Sequence, residues 1–280
     1  MRSSRRCGPA SNVAAFSKRS SPFGVVLPQG WRKDLDHIKG AAAQFAAMAA
    51  VGREADRLGF DSVWLYDHLQ PSPTFECWTS LAAIARETEH VRLGQIVTCA
   101  LYRNAGLLAR MAQTLDAASA GRCLLGLGAG WDEAEYRDHG YPEPWPNVRE
   151  RLHILDDTAA VVRDRVPAVP LLIGGHGERV LLRLVAEHAD ACNFTDSTDP
   201  AFYRHKIDVL RRHCDELGRD ESSILKTASF TVRGDEPDLA ETLAGIAGAG
   251  IEYFILYFER PAEMEGMRRF AAGVMPAFRP

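Results

Sequence analysis

The chain has 280 residues, of which 46% are hydrophobic and 25% charged, a composition typical of a globular protein that can bury a full core. Its net charge of −4 is unevenly placed, because residues 1–21 hold five basic and no acidic residues and leave 28 basic against 37 acidic in the remainder. The excess of acidic residues after residue 21 argues against a nucleic-acid partner, and no apolar run is long enough to predict a membrane span.

The amino-terminal segment, residues 1–21, is rich in Ser and Arg and is expected to be a disordered extension. Its Arg5-Arg6 pair is not followed by the apolar stretch of an export signal. The cysteines form no Cys-x-x-Cys pair and no zinc-like cluster, so we expect reduced thiols, a cytoplasmic protein and no metal site. They are Cys7, Cys77, Cys99, Cys123, Cys192 and Cys214.

From residue 23 onward, predicted strands and helices alternate. The predicted strands span residues 23–27, 62–66, 91–97, 123–127, 170–173, 191–194, 225–232 and 253–257. The predicted helices span residues 41–58, 78–87, 106–118, 132–138, 148–163, 178–188, 201–217, 239–247 and 262–272. Eight βα units in about 255 residues predict a single (β/α)8 TIM barrel over residues 22–280. A doubly wound open sheet is the alternative, less favoured because the units are evenly spaced and no long linker divides them.

An Asp67-His68 pair stands at the end of the second predicted strand. The carboxyl ends of barrel strands carry the chemistry in α/β barrels, which makes His68 the best-placed acid–base candidate. On that stretch alone, a solvated polar pair at a strand end is the simpler reading, and what favours chemistry is that other strand ends carry matching signals.

Two glycine-rich stretches follow the fourth and fifth predicted strands. Gly174, Gly175 and Gly177 would bring backbone N–H groups and a helix N-terminus close to a phosphate, although a tight turn with positive φ is an equally good reading. Residues 128–130 would let a flat ligand approach the backbone. No Rossmann spacing, no Gly-x-Ser-x-Gly and no His-Glu-x-x-His motif is present.

An ordered set of short stretches resembles the luciferase-like monooxygenase superfamily, and within it the oxidoreductases that use the deazaflavin coenzyme F420. The stretches are FGVVLPQG (23–30), GFDSVWLYDH (59–68), TFECW (74–78), RLGQIVTC (92–99), YRN (102–104), GLGAGW (126–131) with EY (135–136), and IGGHGER (173–179). The resemblance implies a TIM barrel with the deazaflavin across its mouth, and a homodimer or larger homo-oligomer.

The resemblance also implies which residues contact the cofactor. Asp67 and His68 match positions beside the reactive ring, and Gln95-Ile96 matches a bulge with a cis peptide behind it. The remaining matches are to ring and side-chain contacts (Thr98, Ala129, Gly130) and to a phosphate loop (Gly174, Gly175, Gly177, Glu178).

The chain departs from the family pattern in ways that bear on the substrate. Trp131 stands where the sugar-phosphate dehydrogenases of the family place a catalytic acid, which argues against a phosphosugar and for an aromatic wall. Trp131 and Tyr102 are therefore the predicted substrate-pocket residues. Residues 166–170 are shorter than the insertion that covers the site in many relatives, so we expect a more open mouth.

The resulting functional hypothesis is an F420-dependent oxidoreductase, more specifically a reductase of a small organic substrate of secondary metabolism, with His68 or a water that it orients as proton donor. Two alternatives stay open. One is an FMN-dependent monooxygenase of the same superfamily, because the barrel and phosphate loop would serve either cofactor. The other is a catalytically lapsed barrel that binds a flavin-like ligand without turnover.

Overall fold

The computed structural model describes residues 22–70, 74–195 and 197–278, so the expected disordered extension at residues 1–21 lies outside the described residues. The strands are β1 (Phe23–Val26), β2 (Ser62–Leu65), β3 (Arg92–Gln95), β4 (Thr98–Cys99), β5 (Cys123–Gly128), β6 (Leu171–Gly174), β7 (Ala191–Thr195), β8 (Leu225–Val232) and β9 (Tyr253–Phe258). The helices are α1 (Ala41–Leu58), α2 (Cys77–Glu87), α3 (Ala105–Ala118), α4 (Glu133–Asp138), α5 (Val148–Arg165), α6 (Leu181–His188), α7 (Pro200–Leu217), α8 (Leu239–Ala247) and α9 (Glu265–Gly273).

The strands form one closed parallel sheet, which confirms the predicted TIM barrel. Their order is β3-β2-β1-β9-β8-β7-β6-β5-β4, and β3 also pairs with β5 to complete the ring. β3 and β4 are two parts of one barrel strand, interrupted at Ile96 and Val97. The cis peptide bond lies between these two residues, one bond after the predicted Gln95-Ile96 position.

Glycines on the neighbouring strands provide the space into which this interruption projects. A Cβ at Gly128 would lie 2.4 Å from Cγ2 of Val97, and one at Gly174 would lie 2.8 Å from its Cγ1. Any larger residue at these two positions would displace Val97. The glycines of β5 and β6 therefore shape the barrel wall as well as the mouth.

Two helices begin three residues later than the sequence predicts. α6 starts at Leu181 instead of residue 178, and Glu178 lies ahead of it with its carboxylate accepting from Lys206 at 2.6 Å and from His205 at 2.9 Å on α7. α9 starts at Glu265 instead of residue 262, because Met264 has a φ of 61° that no α-helix continues through.

The barrel interior is filled at its amino end around Trp64. A Cβ at Gly94 would lie 2.3 Å from the Trp64 ring, so only glycine leaves room for this indole. Trp64 Nε1 donates to Ser62 Oγ at 2.6 Å, Ser62 and the Tyr253 hydroxyl are 2.6 Å apart, and Tyr253 donates to Asp61 Oδ2 at 3.0 Å. These four residues are called the amino-end network below.

A second apolar layer packs the outward faces of the strands against the helices, with fully buried Phe23, Leu93, Leu125, Phe194 and Phe254 among its members. Within the described residues, no helix combines the length and apolarity needed to cross a membrane.

Candidate active site

A cavity of about 380 Å³ opens at the carboxyl ends of the strands. It extends from the end of β1 around to β9, and the loops that follow the strands form its rim. The polar and aromatic residues that line this cavity include Trp31, Arg32, Tyr66, His68, Tyr102, Trp131, Asp132, Glu135, Asn193, Ser229, Thr231 and Tyr257. The architecture therefore gathers side chains from distant parts of the sequence at one mouth, where TIM-barrel enzymes carry their active sites.

The loop after β1 is held in place by side-chain hydrogen bonds to its neighbours. Gln29 Nε2 donates to the Tyr66 carbonyl at 2.8 Å, and the Tyr66 N–H donates back to Gln29 Oε1 at 2.9 Å. Gly30, with a φ of 97°, donates its N–H to Asp34 Oδ1 at 2.7 Å. These bonds fix the position of Trp31, which stacks on the His68 imidazole with the ring centroids 4.2 Å apart and the planes 3° apart.

His68 is paired with a carboxylate from a distant helix. Its Nδ1 lies 3.1 Å and 3.2 Å from the two carboxylate oxygens of Glu135 in α4. α4 starts five residues after β5 ends, and its cap residue Asp132 accepts from the Glu135 N–H at 3.0 Å. That short helix aims the Glu135 carboxylate at the end of β2.

Glu135 is almost fully buried, yet several donors stabilise its charge. Leu69 N–H at 2.8 Å and Gln70 N–H at 3.0 Å donate to Oε1, and the Tyr102 hydroxyl donates to Oε2 at 2.6 Å. Burial alone would raise the pKa of Glu135, but the hydrogen bonds from His68, Tyr102 and Gln70 outweigh it and lower the pKa to about 2. The carboxylate is therefore ionised at neutral pH.

An ionised carboxylate can only accept hydrogen bonds, so His68 carries a proton on Nδ1 and donates a hydrogen bond from this N–H to Glu135. The other ring nitrogen, Nε2, has no hydrogen-bond partner within the described residues, and His68 lines the cavity. The imidazole can therefore hold or release a proton at Nε2 while its orientation stays fixed by Trp31 and Glu135.

Asp67 has a different environment from its neighbour. Its side chain is fully buried and forms a two-point ion pair with Arg103, whose Nη2 lies 3.0 Å from Oδ1 and also donates to Glu76 at 2.8 Å. Burial would lower the pKa of Arg103, but Asp67 and Glu76 raise it well above its usual range. This ion pair anchors the end of β2, and Arg103 donates to both carboxylate oxygens of Asp67.

The glycine loop after β6 offers unused backbone donors. Gly175 has a φ of 123° and donates its N–H to the Asn193 carbonyl at 3.0 Å, and Gly174 and Gly175 both line the cavity. Within the described part of the chain, the N–H groups of residues 176–180 donate to no acceptor. A run of free N–H groups ahead of a helix suits an anion.

The structure brings eight of the predicted site residues together at the cavity: Asp67, His68, Ile96, Tyr102, Gly130, Trp131, Gly174 and Gly175. The other predicted contacts, Gln95, Thr98, Ala129, Gly177 and Glu178, do not line it. Thr98 is buried and accepts from Trp78 Nε1 at 3.0 Å, and Gln95 is buried with its Oε1 3.3 Å from the Gly126 N–H. Their contribution to ligand binding remains a prediction.

Several cavity residues were not among the predicted site residues, namely Trp31, Arg32, Glu135, Ser229, Thr231 and Tyr257. Three of them stand on β8 and β9 and could have been found by following the strand ends to the last strand. Glu135 carries a weaker signal, an Asp-x-x-Glu helix start a few residues after a strand end, and nothing in the local sequence pairs it with His68.

Ligand atoms of His68, Asp132 and Glu135 also lie within 4.8 Å of one another. Both oxygens of Glu135 already accept hydrogen bonds, so a cation there would have to displace the Leu69, Gln70 and Tyr102 donors. The donor set therefore suits an imidazole better than a metal ion.

Comparisons with known proteins agree with this architecture. The family model described as luciferase-like monooxygenase matches residues 22–266. The F420-dependent glucose-6-phosphate dehydrogenase of Intrasporangium calvum is 34% identical over 148 residues, which cover 49% of this chain and 42% of that protein. The 5,10-methylenetetrahydromethanopterin reductase of Methanolobus tindarius is 25% identical over 208 residues, which cover 67% of this chain and 62% of that protein.

Among solved structures, an F420-dependent secondary alcohol dehydrogenase in complex with an F420-acetone adduct superposes with a TM-score of 0.77 at 18% identity, covering 93% of this chain and 99% of that one. This similarity supports the fold. The chain spans about half the length of the curated relatives it matches.

Proposed function

The chain belongs to the luciferase-like monooxygenase family, and from that premise we propose that it is an F420-dependent oxidoreductase that acts on a small organic molecule. The curated relatives named above include an F420-dependent dehydrogenase and a reductase, and their names support both the cofactor and the reaction type. Reduction is the favoured direction.

The observation that carries the proposal is the His68–Glu135 pair. It gives the cavity an imidazole with a fixed orientation, a charged partner on one nitrogen, and a second nitrogen that has no hydrogen-bond partner among the described residues. Reduction of an unsaturated bond needs a proton at the atom next to the one that receives hydride, and general acids placed in this way are most often histidines.

The residues present fit a deazaflavin. Gly130 lines the cavity with a φ of 76° and carries no side chain, so a planar ring could approach the backbone closely there. Ile96 would back the ring, and Gly174, Gly175 and the free N–H groups of residues 176–180 would hold the anionic side chain. When bound, the deazaflavin supplies a carbon that accepts or delivers a hydride.

The protein's own residues would supply proton transfer and exclusion of water. His68 would hold a proton at Nε2 for the substrate in reduction, or accept one in oxidation. The Glu135 carboxylate would stabilise the protonated imidazole, and Trp31 would keep the ring from rotating by covering its face. Trp131 and Trp31 contact the imidazole from two sides and would limit access of water.

The test is an anaerobic assay in which reduced coenzyme F420 is oxidised by a panel of conjugated ketones, followed at the deazaflavin absorbance band. We expect oxidation that depends on both the protein and the acceptor. A parallel assay supplies reduced FMN and oxygen. Oxygen-dependent turnover with FMN alone would make the protein an FMN monooxygenase, and ligand binding without turnover in either assay would make it a lapsed barrel.

Assembly and cellular location remain predictions. A homodimer or larger homo-oligomer is proposed from the resemblance. The five described cysteines, Cys77, Cys99, Cys123, Cys192 and Cys214, are buried and unpaired, which supports a reducing compartment such as the cytoplasm.

A further inference from the structure

We propose that the substrate bound in this cavity is a flat conjugated ring that carries a carboxylate, and that Arg32 is the residue that binds this carboxylate. The inference rests on the proposed function, since it names the substrate class of the same site. Among the described residues that line the cavity, Arg32 is the only arginine or lysine.

Arg32 is stacked on aromatic rings, and this leaves the edge of its guanidinium available. Its Cζ lies 4.4 Å from the Tyr257 ring centroid, 5.3 Å from that of Trp31 and 5.5 Å from that of Tyr66. Only Nη1 has an acceptor within the described residues, Thr231 Oγ1 at 2.9 Å. A stacked guanidinium keeps its N–H groups in the plane, in the fork that matches a carboxylate.

No acid in the described part of the chain forms an ion pair with this guanidinium. Within the described residues, no carboxylate oxygen lies within 4.0 Å of Arg32. The nearest acid on the same loop, Asp34, has both oxygens engaged, by the Gly30 N–H at 2.7 Å and by the Tyr257 hydroxyl at 2.7 Å. The same bonds hold the loop in place, so a ligand would not have to order it on binding.

The wall beside Arg32 suits a planar ring. Trp31 lies parallel to His68, and Trp131 approaches His68 edge-on, with centroids 5.5 Å apart at 69°. Trp131 is 68% exposed, which is unusual for an indole and leaves one of its faces free for a ligand. Indole faces bind flat conjugated rings well. Arg32 and Trp131 therefore offer the two contacts that an aromatic or enoic acid needs, next to the proposed proton donor.

The experiment is a calorimetric titration of the full chain with 2-naphthoate and with 2-naphthamide, a neutral probe of nearly the same shape. Wild type is expected to bind naphthoate about tenfold or more tightly than naphthamide, as a charge-assisted hydrogen bond predicts. Arg32→Gln should lose this preference. Arg149→Gln, which changes an exposed arginine on α5, should keep it.

Equal binding of the two probes to wild type, binding of neither, or a preference that survives in Arg32→Gln would each overturn the inference. Coenzyme F420 is titrated separately to distinguish the two proposals. If Arg32→Gln loses F420 together with naphthoate, Arg32 holds the cofactor and the inference is wrong. If wild type prefers naphthoate through Arg32 but does not bind F420, the carboxylate site stands and the proposed function fails.

Discussion

Two hydrogen-bonded networks with similar components lie at opposite ends of the barrel. The amino-end network joins Trp64, Ser62, Tyr253 and Asp61, and the second joins His68, Tyr102 and the Glu135 carboxylate at the carboxyl end. In each, a tyrosine hydroxyl donates to a buried carboxylate. The chemistry of the bonds does not distinguish the two ends.

Access to a ligand distinguishes them. The four members of the amino-end network are at most 1% exposed, and a Cβ at Gly94 would already collide with Trp64. At the other end the His68 side chain is 15% exposed, lines the cavity and keeps Nε2 without a partner in the described residues. A buried polar network of the first kind specifies the core, whereas one that leaves a titratable atom without a partner beside a cavity can perform acid–base chemistry.

The largest effect is expected for His68→Ala. Removing the general acid should lower turnover with reduced F420 and a conjugated ketone about 10²–10⁴-fold, because proton transfer would fall to water. Binding of F420 should change little. His153→Ala, at an exposed histidine of α5, is the matched control and should leave turnover unchanged. Unchanged turnover in His68→Ala would remove His68 from the mechanism.

The Glu135 pKa predicts an acid-dependent loss of stability at the carboxyl end. Its folded pKa of about 2 lies below the usual 4.5, so the ionised carboxylate stabilises the folded state fully above pH 4.5, and this is lost as the pH falls from 4.5 to 2. The shift corresponds to a contribution of this carboxylate to the free energy of unfolding on the order of 3 kcal/mol.

Glu54, with a pKa also lowered to about 2 by hydrogen bonds from Arg57 and Arg268, titrates over the same range. Urea unfolding between pH 5 and about 2 should therefore compare wild type with Glu135→Gln and Glu54→Gln. The difference between wild type and Glu135→Gln should shrink as the pH falls. A constant difference would contradict the assigned pKa.

Tyr253→Phe should lower the stability of the amino end of the barrel without changing ligand binding at the carboxyl end. The substitution removes the hydroxyl between Ser62 and the buried Asp61, which should lower the free energy of unfolding by about 1–3 kcal/mol. Denaturant unfolding measures the loss, and F420 binding by the same variant should match wild type. Weakened cofactor binding at unchanged stability would mean that the two ends do not divide structure and chemistry as described.

The smallest effect on stability is expected for Trp131→Leu. Because this indole is 68% exposed, its replacement should change the free energy of unfolding by no more than about 0.5 kcal/mol. Binding of naphthoate and naphthamide should weaken together, since both would lose the same ring contact. A large loss of stability would show that Trp131 is a packing residue.

Local rules were sufficient for most of the fold. The helix Ala41–Leu58 was predicted at both ends, and Gly59 terminates it in a left-handed conformation. Turn residues placed the strand ends to within about two residues. The start of α6 was predicted three residues early, and the contact that Glu178 makes instead, with Lys206 on another helix 28 residues away, has no signal in the local sequence.

The same division holds for the site. The Asp67-His68 strand end and the Gly174-Gly175 loop are visible as short motifs. The partner of His68 is not, because Glu135 is 67 residues away and meets it only after the barrel closes. The loop residue Trp31 likewise acquires its role through the contacts of Gln29 and Asp34 with other strands.

The central claim is that this cavity holds a deazaflavin, and the most direct test is equilibrium binding of coenzyme F420 and FMN to the wild-type chain, titrated side by side. We predict saturable binding of F420 at concentrations at which FMN binds weakly. Tighter binding of FMN, or binding of neither cofactor, would contradict the account.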